Sequence, residues 1–230
     1  MRAIAIPTER LRNRSAPVIT DPNITAYIHS LDKEGSGPLE DLRAFAEKKN
    51  VPIIRREMES FLKILLTLKQ PGSILEIGAG IGFSSVFFAL NTAQSCTVTT
   101  IENSEERIRL CRKNIESFGM NGRITLLEGD AAEIIRNLTG PFDFIFLDGP
   151  KAQYIRMLSG LLSLLESGGI LLADNVFQEG HLIESRYITP RRQRTIHERM
   201  REYVWEVKHT DELETAVITI GDGVALSIKK

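Results

Sequence analysis

Three glycines spaced by two residues, Gly78, Gly80 and Gly82, follow directly on the apolar run at residues 74–77 (Ile-Leu-Glu-Ile). An apolar run that stops at glycines and passes at once into an amphipathic segment is typical of a buried parallel strand that turns into a helix over a nucleotide-like ligand. Glycine is needed because a Cβ would hold the backbone away from the ligand or forbid positive φ. A strand–helix turn that binds no ligand is the alternative for this stretch on its own.

The residues around the glycines indicate which class of ligand the loop would bind. Phe83 stands where a dinucleotide-binding fingerprint would place glycine, and Glu76 lies in the end of the preceding strand. A carboxylate there would repel a pyrophosphate but suits a cationic ligand, so the pattern resembles the S-adenosylmethionine (AdoMet) motif of Rossmann-like methyltransferases. Glu102 supports this interpretation, because it ends the next predicted strand about 20 residues on, where an acid typically binds ribose hydroxyls.

Length and composition indicate a soluble globular protein. The chain has 230 residues, of which 42% are hydrophobic and 26% charged, enough for one α/β domain with a sizeable core. The net charge of −1 argues against a uniformly basic nucleic-acid binder but allows a local basic patch. Cys96 and Cys111 have neither metal-ligand nor redox spacing, and no apolar run reaches membrane-spanning length. The N-terminus is broken by Pro7 too soon for a signal peptide, so we expect a cytoplasmic protein with reduced cysteines and no membrane association.

Residues 1–20 differ in composition from the rest of the chain. They contain four arginines against a single acid, Glu9, and are interrupted by Pro7 and Pro17. We expect a flexible basic N-terminal arm at 1–20, followed by one domain over 21–230. Contact of the arm with RNA phosphates or a partner subunit is the alternative.

Strands and helices alternate regularly from residue 73 onward. After three helices near 22–32, 37–50 and 55–69, the predicted strands cover 74–77, 97–101, 123–128, 143–147 and 170–173, and the helices between them cover about 82–92, 104–118, 131–138 and 151–165. This alternation predicts an α/β fold with a doubly wound, mostly parallel sheet. An arginine-rich helix at about 190–208 and a β-hairpin at 214–228 are predicted to follow it. Ligands of such sheets bind beyond the carboxyl ends of the strands. Polar side chains are concentrated there in this chain: Glu76, Glu102, Asp130, Asp148, Asp174 and Asn175.

Asp148 and the pair Asp174 and Asn175 follow adjacent strands of the predicted sheet. Two carboxylates and an amide oxygen that converge there make an all-oxygen site suited to Mg²⁺, whereas a helix cap is the alternative for Asp148 taken alone. Lys151 follows shortly after Asp148, and a lysine next to a divalent cation loses its proton more readily, which suits it to deprotonate a hydroxyl. A solvated lysine in the first turn of a helix is the alternative.

Together these residues resemble the cation-dependent, catechol-type O-methyltransferases. The resemblance covers roughly 22–230 and rests on the E-x-G-x-G-x-G stretch together with Glu102, Gly129-Asp130-Ala131, Asp148-x-x-Lys151 and Asp174-Asn175. It implies a Rossmann-like class I methyltransferase fold, in which a C-terminal hairpin adds an antiparallel strand to a seven-stranded sheet. The Gly-Pro dipeptide at 149–150 departs from the family pattern, in which small residues such as alanine are expected.

The resemblance also implies roles for individual residues. AdoMet would contact the backbone of Ile54 and the following residues: Glu76, Gly78, Gly80, Ser84, Glu102, Asp130, Ala131 and Asp148. Mg²⁺ or a similar divalent cation would be bound by Asp148, Asp174 and Asn175. Asp148 and Lys151 would be the catalytic residues, with Lys151 taking the proton of the acceptor hydroxyl while the sulfonium methyl is transferred in line.

Within this family the chain is most similar to the bacterial tRNA 5-hydroxyuridine methyltransferases, which make 5-methoxyuridine at the wobble position. The points of likeness are Val51-Pro52-Ile53, Lys151-x-Gln153-Tyr154, Asp174-Asn175-Val176, Pro190-Arg191-Arg192-x-Arg194 and residues 221–227. This implies tRNA as the partner, with candidate phosphate contacts from Arg186, Arg191, Arg192 and Arg194. A small catechol or phenol is the alternative substrate, and a solvated or dimer-interface helix is the alternative for the arginines. We expect a homodimer.

Overall fold

The computed structural model describes residues 19–33, 35–184, 187 and 189–230, and a seven-stranded β-sheet lies at its centre. In chain order the strands are β1 (Ser73–Ile77), β2 (Thr97–Glu102), β3 (Ile124–Glu128), β4 (Phe142–Leu147), β5 (Leu165–Ala173), β6 (Leu213–Ile218) and β7 (Val224–Lys229). The strand order across the sheet is β3-β2-β1-β4-β5-β7-β6. Strands β1 to β5 are parallel, and β7 is antiparallel to both of its neighbours. The predicted doubly wound sheet with an antiparallel strand from the C-terminal hairpin is confirmed.

Helices cover both faces of this sheet. The α-helices of the described residues are α1 (Pro22–Ser30), α2 (Pro38–Lys48), α3 (Arg56–Lys69), α4 (Phe83–Leu90), α5 (Glu105–Ser117), α6 (Ala131–Asn137), α7 (Tyr154–Leu164) and α8 (Arg194–His209). Apolar side chains of α2 to α5 pack on one face, and those of α6 to α8 pack on the other. Strand β1 is therefore apolar on both sides: Ile74 packs with the first group and Leu75 and Ile77 with the second.

The register of the sheet brings four strand ends to one level. Ile77, the last residue of β1, pairs with Ile101 near the end of β2 and with Leu147 at the end of β4, and Leu147 in turn pairs with Ala173 at the end of β5. The residues that follow these strands must therefore meet at one edge of the sheet. This is the level at which the sequence concentrates its polar side chains.

The structure differs from the predicted elements chiefly at β5 and at two helix starts. Strand β5 begins at Leu165, five residues before the predicted start, because a register shift lets Leu165 pair with Phe142 while Ile170 pairs with Phe144. Such an irregularity depends on the neighbouring strand and leaves little trace in the sequence. Short 3₁₀ turns at Lys151–Gln153 and Arg191–Gln193 precede α7 and α8, where continuous helices were expected.

Two further predictions concern the N-terminal arm and the membrane. Most of the predicted basic arm precedes Ile19, where the described residues begin, so the division into an arm and one domain stays a prediction. Within the described ranges, every helix is too short or too polar to cross a lipid bilayer.

Candidate active site

A cavity of about 450 Å³ opens where the carboxyl ends of β1, β2, β4 and β5 meet. Its walls include most of the residues that the sequence analysis singled out: Ile54, Gly78, Gly80, Ser84, Glu102, Asp130, Ala131, Asp148, Lys151, Asp174 and Asn175. It also contains residues without a predicted role, among them Arg55, Asn103, Arg107 and Gln153. The volume lies within the usual range for small-ligand sites, about 300–1,000 Å³.

The glycine-rich loop after β1 forms the floor of this cavity. The N–H groups of Gly78 and Ala79 both donate to the carbonyl of Ile101, at 2.9 and 3.0 Å. Gly78 has a φ of +99°, and a Cβ there would lie 2.6 Å from the carbonyl oxygen of Asp148. Gly80 has a φ of +55°, and its Cβ position is open space. Glycine thus lets the loop pass close to the end of β4 while its backbone stays accessible to a ligand.

Glu102 ties the glycine-rich loop to the end of β2. Its carboxylate accepts hydrogen bonds from the N–H groups of Gly80 (2.9 Å), Asn103 (3.0 Å) and Ser104 (3.0 Å), and its side chain is almost completely buried. Arg107 lies 4.0 Å away. Because a carboxylate has about four acceptor positions, Glu102 can hold the loop and still accept one hydroxyl from a ligand in the cavity.

Glu76 occupies a different place from the one predicted. Its side chain is completely buried behind the glycine-rich loop and does not line the cavity. One carboxyl oxygen accepts hydrogen bonds from the hydroxyls of Thr100 (2.6 Å) and Ser85, and the other has no partner among the described residues. Burial raises the pKa of this carboxyl. These contacts tie Glu76 in β1 to β2 and to α4, and Glu76 has no place in the wall of the cavity.

The other two walls of the cavity come from α6 and from the segment before α3. Asp130 caps α6, its side chain accepting from the N–H groups of Ala132 (2.9 Å) and Glu133 (3.2 Å). The carbonyl of Ile54 accepts a hydrogen bond from the buried guanidinium of Arg43 at 3.0 Å. Arg43 also pairs with Glu59. It holds the Ile54 backbone in place, a role that its position in an amphipathic helix did not reveal.

Lys151 lies among oxygen atoms from both neighbouring strand ends. Its ammonium donates to Asp148 Oδ1 at 2.9 Å and to the carbonyl of Asp174 at 3.1 Å, and it lies 3.5 Å from Asn175 Oδ1. A fourth contact, at 2.8 Å, is to the hydroxyl of Tyr154. The predicted convergence of Asp148, Lys151 and the pair that follows β5 is therefore present, and a cation already lies at its centre.

Tyr154 is a site residue to which the sequence analysis gave no role. Its side chain is completely buried, and its hydroxyl donates to the carbonyl of Leu147 at 2.8 Å while accepting from Lys151. The ring packs edge-on against Tyr203, with 5.4 Å between the centroids. Burial raises the pKa of the Tyr154 phenol well above its usual value, so the hydroxyl stays protonated. The only signal in the sequence was its spacing of three from Lys151, which places both side chains on one side of a helical turn.

Asp174 carries the most consequential pKa shift of the site. Its side chain is almost fully buried, and burial, followed by the negative charge of Asp148, raises its pKa to about 7. Lys151 partly offsets this effect. The two carboxylates are thus close enough to repel each other, and a further positive charge beside them would stabilise their ionised forms.

This donor set fits a hard divalent cation. Two interacting carboxylates and the amide oxygen of Asn175 are the ligand types that Mg²⁺ prefers, with water or substrate completing the coordination. Within the described ranges there is no cluster of three or more His, Cys, Asp or Glu side chains able to hold a metal, and the third donor of the present group is an amide. The ammonium of Lys151 already lies beside the Asp148 carboxylate, the Asn175 amide oxygen and the backbone carbonyl of Asp174.

Comparison with known families matches this chain to the family described as O-methyltransferase over residues 29–230. The chain belongs to the O-methyltransferase family.

Individual members of the family show how far the likeness extends. A catechol O-methyltransferase of Niastella koreensis is 30% identical over 56% of this chain, and the match spans 61% of the length of that enzyme. The tapetum-specific methyltransferase 1 of Arabidopsis thaliana is 28% identical over 72% of this chain and 73% of its own length. The crystal structure of a Staphylococcus aureus protein, provisionally named a caffeoyl-CoA O-methyltransferase, has a TM-score of 0.80 at 30% identity and covers 90% of this chain and 97% of its own.

The arginines predicted to bind tRNA divide into two groups. Arg191 and Arg192 are exposed in the turn that precedes α8, whereas Arg194 is half-buried and donates to the carbonyl of Thr189 at 3.2 Å. Arg186 lies outside the described residues. Further along α8, Arg199 donates to the carbonyl of Ala152 at 3.2 Å. It therefore braces the turn that carries Lys151, and Arg191 and Arg192 are left as the clearest candidates for contact with an external anion.

The raised pKa of Asp174 predicts how the stability of the folded protein changes with pH. The folded-state pKa of about 7 exceeds the unfolded value of roughly 3.9, so the stability associated with the bound proton is fully present below about pH 4 and is lost as the pH rises through about 7. In metal-free buffer, the melting temperature of the wild type should fall relative to that of Asp174→Asn between pH 5 and pH 8. Asp211→Asn, at an exposed site, is the control. A constant difference between wild type and Asp174→Asn over this range would contradict the assignment.

Proposed function

We propose that this O-methyltransferase transfers the methyl group of AdoMet to a hydroxyl oxygen that has a second oxygen beside it. The observation that carries the proposal is the cluster around Lys151, whose amine contacts the carboxylate of Asp148, the backbone carbonyl of Asp174 and the amide oxygen of Asn175 at the edge of a glycine-floored cavity that Asp174 also lines. Members of the same fold support the methyl donor: the O-methyltransferase from Bacillus cereus, 23% identical with a TM-score of 0.79, was crystallised in complex with S-adenosylhomocysteine, the demethylated product of AdoMet.

The cavity offers suitable partners for each part of AdoMet. The free acceptor position of Glu102 suits a ribose hydroxyl, and the open backbone at Gly80 allows the ligand to lie against the loop. The side chains of Asp130 and Gln153, which contact each other at 3.4 Å, line the same wall and can accept and donate hydrogen bonds. Asp148 places a carboxylate in the cavity wall beside Lys151, which favours a cationic sulfonium there.

Asp148, Asp174 and Asn175 would hold the divalent cation. When bound, the cation would supply charge stabilisation for the deprotonated acceptor oxygen. The residues themselves provide orientation: Asn175 has a φ of +54°, and its backbone N–H donates to Asp174 Oδ1 at 2.7 Å, which fixes the Asp174 carboxylate against the backbone of Asn175. Asp174 is the one expected to lose a proton on binding a cation, because its pKa lies near neutrality.

Lys151 would act as the general base. Beside a bound divalent cation, the Lys151 ammonium would first release a proton to solvent. The acceptor O–H bond would then break with its proton passing to that amine, a new O–CH₃ bond would form as the S–CH₃ bond breaks, and S-adenosylhomocysteine would leave. Tyr154 holds Lys151 by a 2.8 Å contact and is itself fixed to the carbonyl of Leu147, so the amine is kept near the acceptor position. Holding the reactants in line contributes up to roughly 7–11 kcal/mol to lowering the barrier.

For the acceptor we propose 5-hydroxyuridine at the wobble position of tRNA. Its 5-hydroxyl lies beside the O4 carbonyl, so it presents the adjacent pair of oxygens that the site requires. Support for a polynucleotide comes from the sequence likeness in the C-terminal region and from the two exposed arginines, Arg191 and Arg192, on the segment that follows Asp174 and Asn175 along the chain.

A small catechol is the second candidate acceptor. Two of the matched relatives, from Niastella koreensis and Mycobacterium tuberculosis, are named catechol O-methyltransferases, at 30% and 26% identity. A catechol presents two neighbouring oxygens as hydroxyuridine does. Asp148, Asp174 and Asn175 therefore suit either acceptor equally well. The protein surface around them must distinguish a catechol from a tRNA.

One experiment compares both acceptors directly. Labelled AdoMet and Mg²⁺ are incubated with the protein and either hydroxyuridine-containing tRNA, tRNA lacking hydroxyuridine, or catechol. We expect methylation of the first tRNA alone, and loss of that activity in EDTA with recovery on adding Mg²⁺. Methylation of catechol alone would favour the second candidate, transfer to none of them would contradict the proposal, and full activity in EDTA would exclude a required cation.

Replacement of Lys151 by methionine tests the base. Lys151→Met keeps the length of the side chain but removes the amine, so kcat should fall by about 10²- to 10⁴-fold, as is usual when a general base is lost. The dissociation constant for AdoMet, measured by calorimetry, should change little. Lys113→Met, at an exposed position on α5, is the control. A kcat equal to that of the wild type would show that another group takes the proton.

Charge reversal at the exposed arginines tests the tRNA substrate. The double variant Arg191→Glu/Arg192→Glu should weaken tRNA binding and lower the slope of log K against log salt concentration by about two, one for each phosphate contact. Methylation of a free hydroxyuridine nucleoside should be unaffected. The matched control is Arg109→Glu/Lys113→Glu on α5, at the opposite side of the sheet. Equal losses in the two double variants would indicate a general charge effect and no specific docking site.

A further inference from the structure

The loop that follows the candidate metal ligands has an unusual backbone conformation. Asn175, Gln178 and Glu179 have φ values of +54°, +52° and +56°, and Gly180 follows at +84°. Left-handed conformations at non-glycine residues are unfavourable and persist only where surrounding contacts determine them. Other parts of the chain must therefore hold this loop, and with it Asn175, in place.

The turn between β6 and β7 makes those contacts. The turn is closed by a hydrogen bond of 2.7 Å from the N–H of Gly223 to the carbonyl of Ile220. Three further hydrogen bonds cross to the loop. The N–H of Val176 donates to the carbonyl of Gly223 at 3.0 Å, that of Phe177 to the carbonyl of Asp222 at 3.0 Å, and that of Glu179 to Asp222 Oδ1 at 2.6 Å.

Packing reinforces these hydrogen bonds. Gly223 has a φ of +81°, and a Cβ there would lie 2.1 Å from the ring of Phe177. The ring thus lies directly on the backbone of the turn, and Phe177 is attached to the turn through both its ring and its N–H. The side chain of Asp222 is almost completely buried. Loop and turn therefore form one unit, in which the side-chain oxygen of Asp222 accepts a hydrogen bond from the loop backbone.

Asp222 does not line the cavity that contains Lys151. It lines a neighbouring cavity of about 380 Å³, together with Arg55, which belongs to both. The hydrogen-bonded connection from Asp222 to the metal ligands runs through the loop backbone. The path is short, because Val176, which is bonded to the turn, directly follows Asn175 in the chain.

We infer that Asp222 is a positioning residue that holds the loop at 175–179 so that Asp174 and Asn175 can bind the divalent cation together. This inference rests on the proposed function. In this role the side-chain oxygen of Asp222 keeps Glu179 and the preceding residues in their left-handed conformations. The negative charge of Asp222 is not needed for it. Residues that orient metal ligands in this way typically change metal affinity by about 10- to 100-fold when replaced.

Three substitutions at Asp222 separate geometry from charge. Asp222→Ala removes the acceptor, and Asp222→Glu keeps the charge but moves the acceptor by one methylene. Both should raise the Mg²⁺ concentration for half-maximal activity by about 10- to 100-fold. Asp222→Asn keeps an oxygen at the same place and should resemble the wild type. The AdoMet dissociation constant without metal should be unchanged in all three, and Asp211→Asn, in the exposed turn before β6, is the control.

Amide hydrogen exchange provides a readout that needs no activity. The amides of 176–179 should exchange faster in Asp222→Ala and Asp222→Glu than in the wild type and in Asp222→Asn, while those of β1 should not change. Unchanged exchange at 176–179, or an active wild type whose Mg²⁺ requirement is within twofold of that of Asp222→Glu, would overturn the positioning role alone. A wild type that methylates no acceptor would instead overturn the proposed function, and the positioning role with it.

Discussion

The close approach of β1 to β4 at their carboxyl ends is the constraint on which the whole site depends. Gly78 passes so near the carbonyl of Asp148 that any side chain at this position would overlap it. This proximity places the floor of the glycine-rich cavity directly beside Asp148, and Asp148 in turn contacts Lys151. A methyl donor and a proton acceptor can lie next to each other only because the two strand ends are not separated by a side chain.

The buried acids near this junction are stabilised in three different ways. Burial raises the pKa of Glu76, which accepts hydrogen bonds from hydroxyl groups. Glu102 is surrounded by backbone N–H groups and belongs to the framework of the glycine-rich loop. Asp174 is only partly compensated, by Lys151, by the N–H of Asn175 and by Arg55, and its pKa stays at about 7. The need for a further positive charge is therefore concentrated at Asp174, where a cation is proposed to bind.

The choice of acceptor is decided outside this cluster. Adjacent oxygens on a nucleobase and on a catechol would offer similar ligands to a cation, so the first contacts of the reaction carry little specificity. The C-terminal segment is more informative. Arg199 braces the turn that holds Lys151, whereas Arg191 and Arg192 are exposed to solvent. Arg199 thus braces the turn of Lys151, whereas Arg191 and Arg192 are the residues proposed to contact tRNA, although all three belong to the same basic stretch of sequence.

The sequence by itself determined the sheet and the edge at which the site lies. Apolar runs that end in glycine or acid define strands and their carboxyl ends, and these local patterns placed Asp148, Asp174 and Asn175 together. Tertiary structure decided how each side chain is used. Glu76 and Glu102 point to the same face of the sheet, since Glu76 pairs with Thr100 and Glu102 lies two residues after Thr100. Glu76 lies within β1 and is enclosed by Thr100 and Ser85, whereas Glu102 is the last residue of β2 and reaches the cavity. The roles of Arg43, Tyr154 and Asp222 depend on contacts between residues distant in the chain or on burial, and such contacts leave no periodic signal in the sequence.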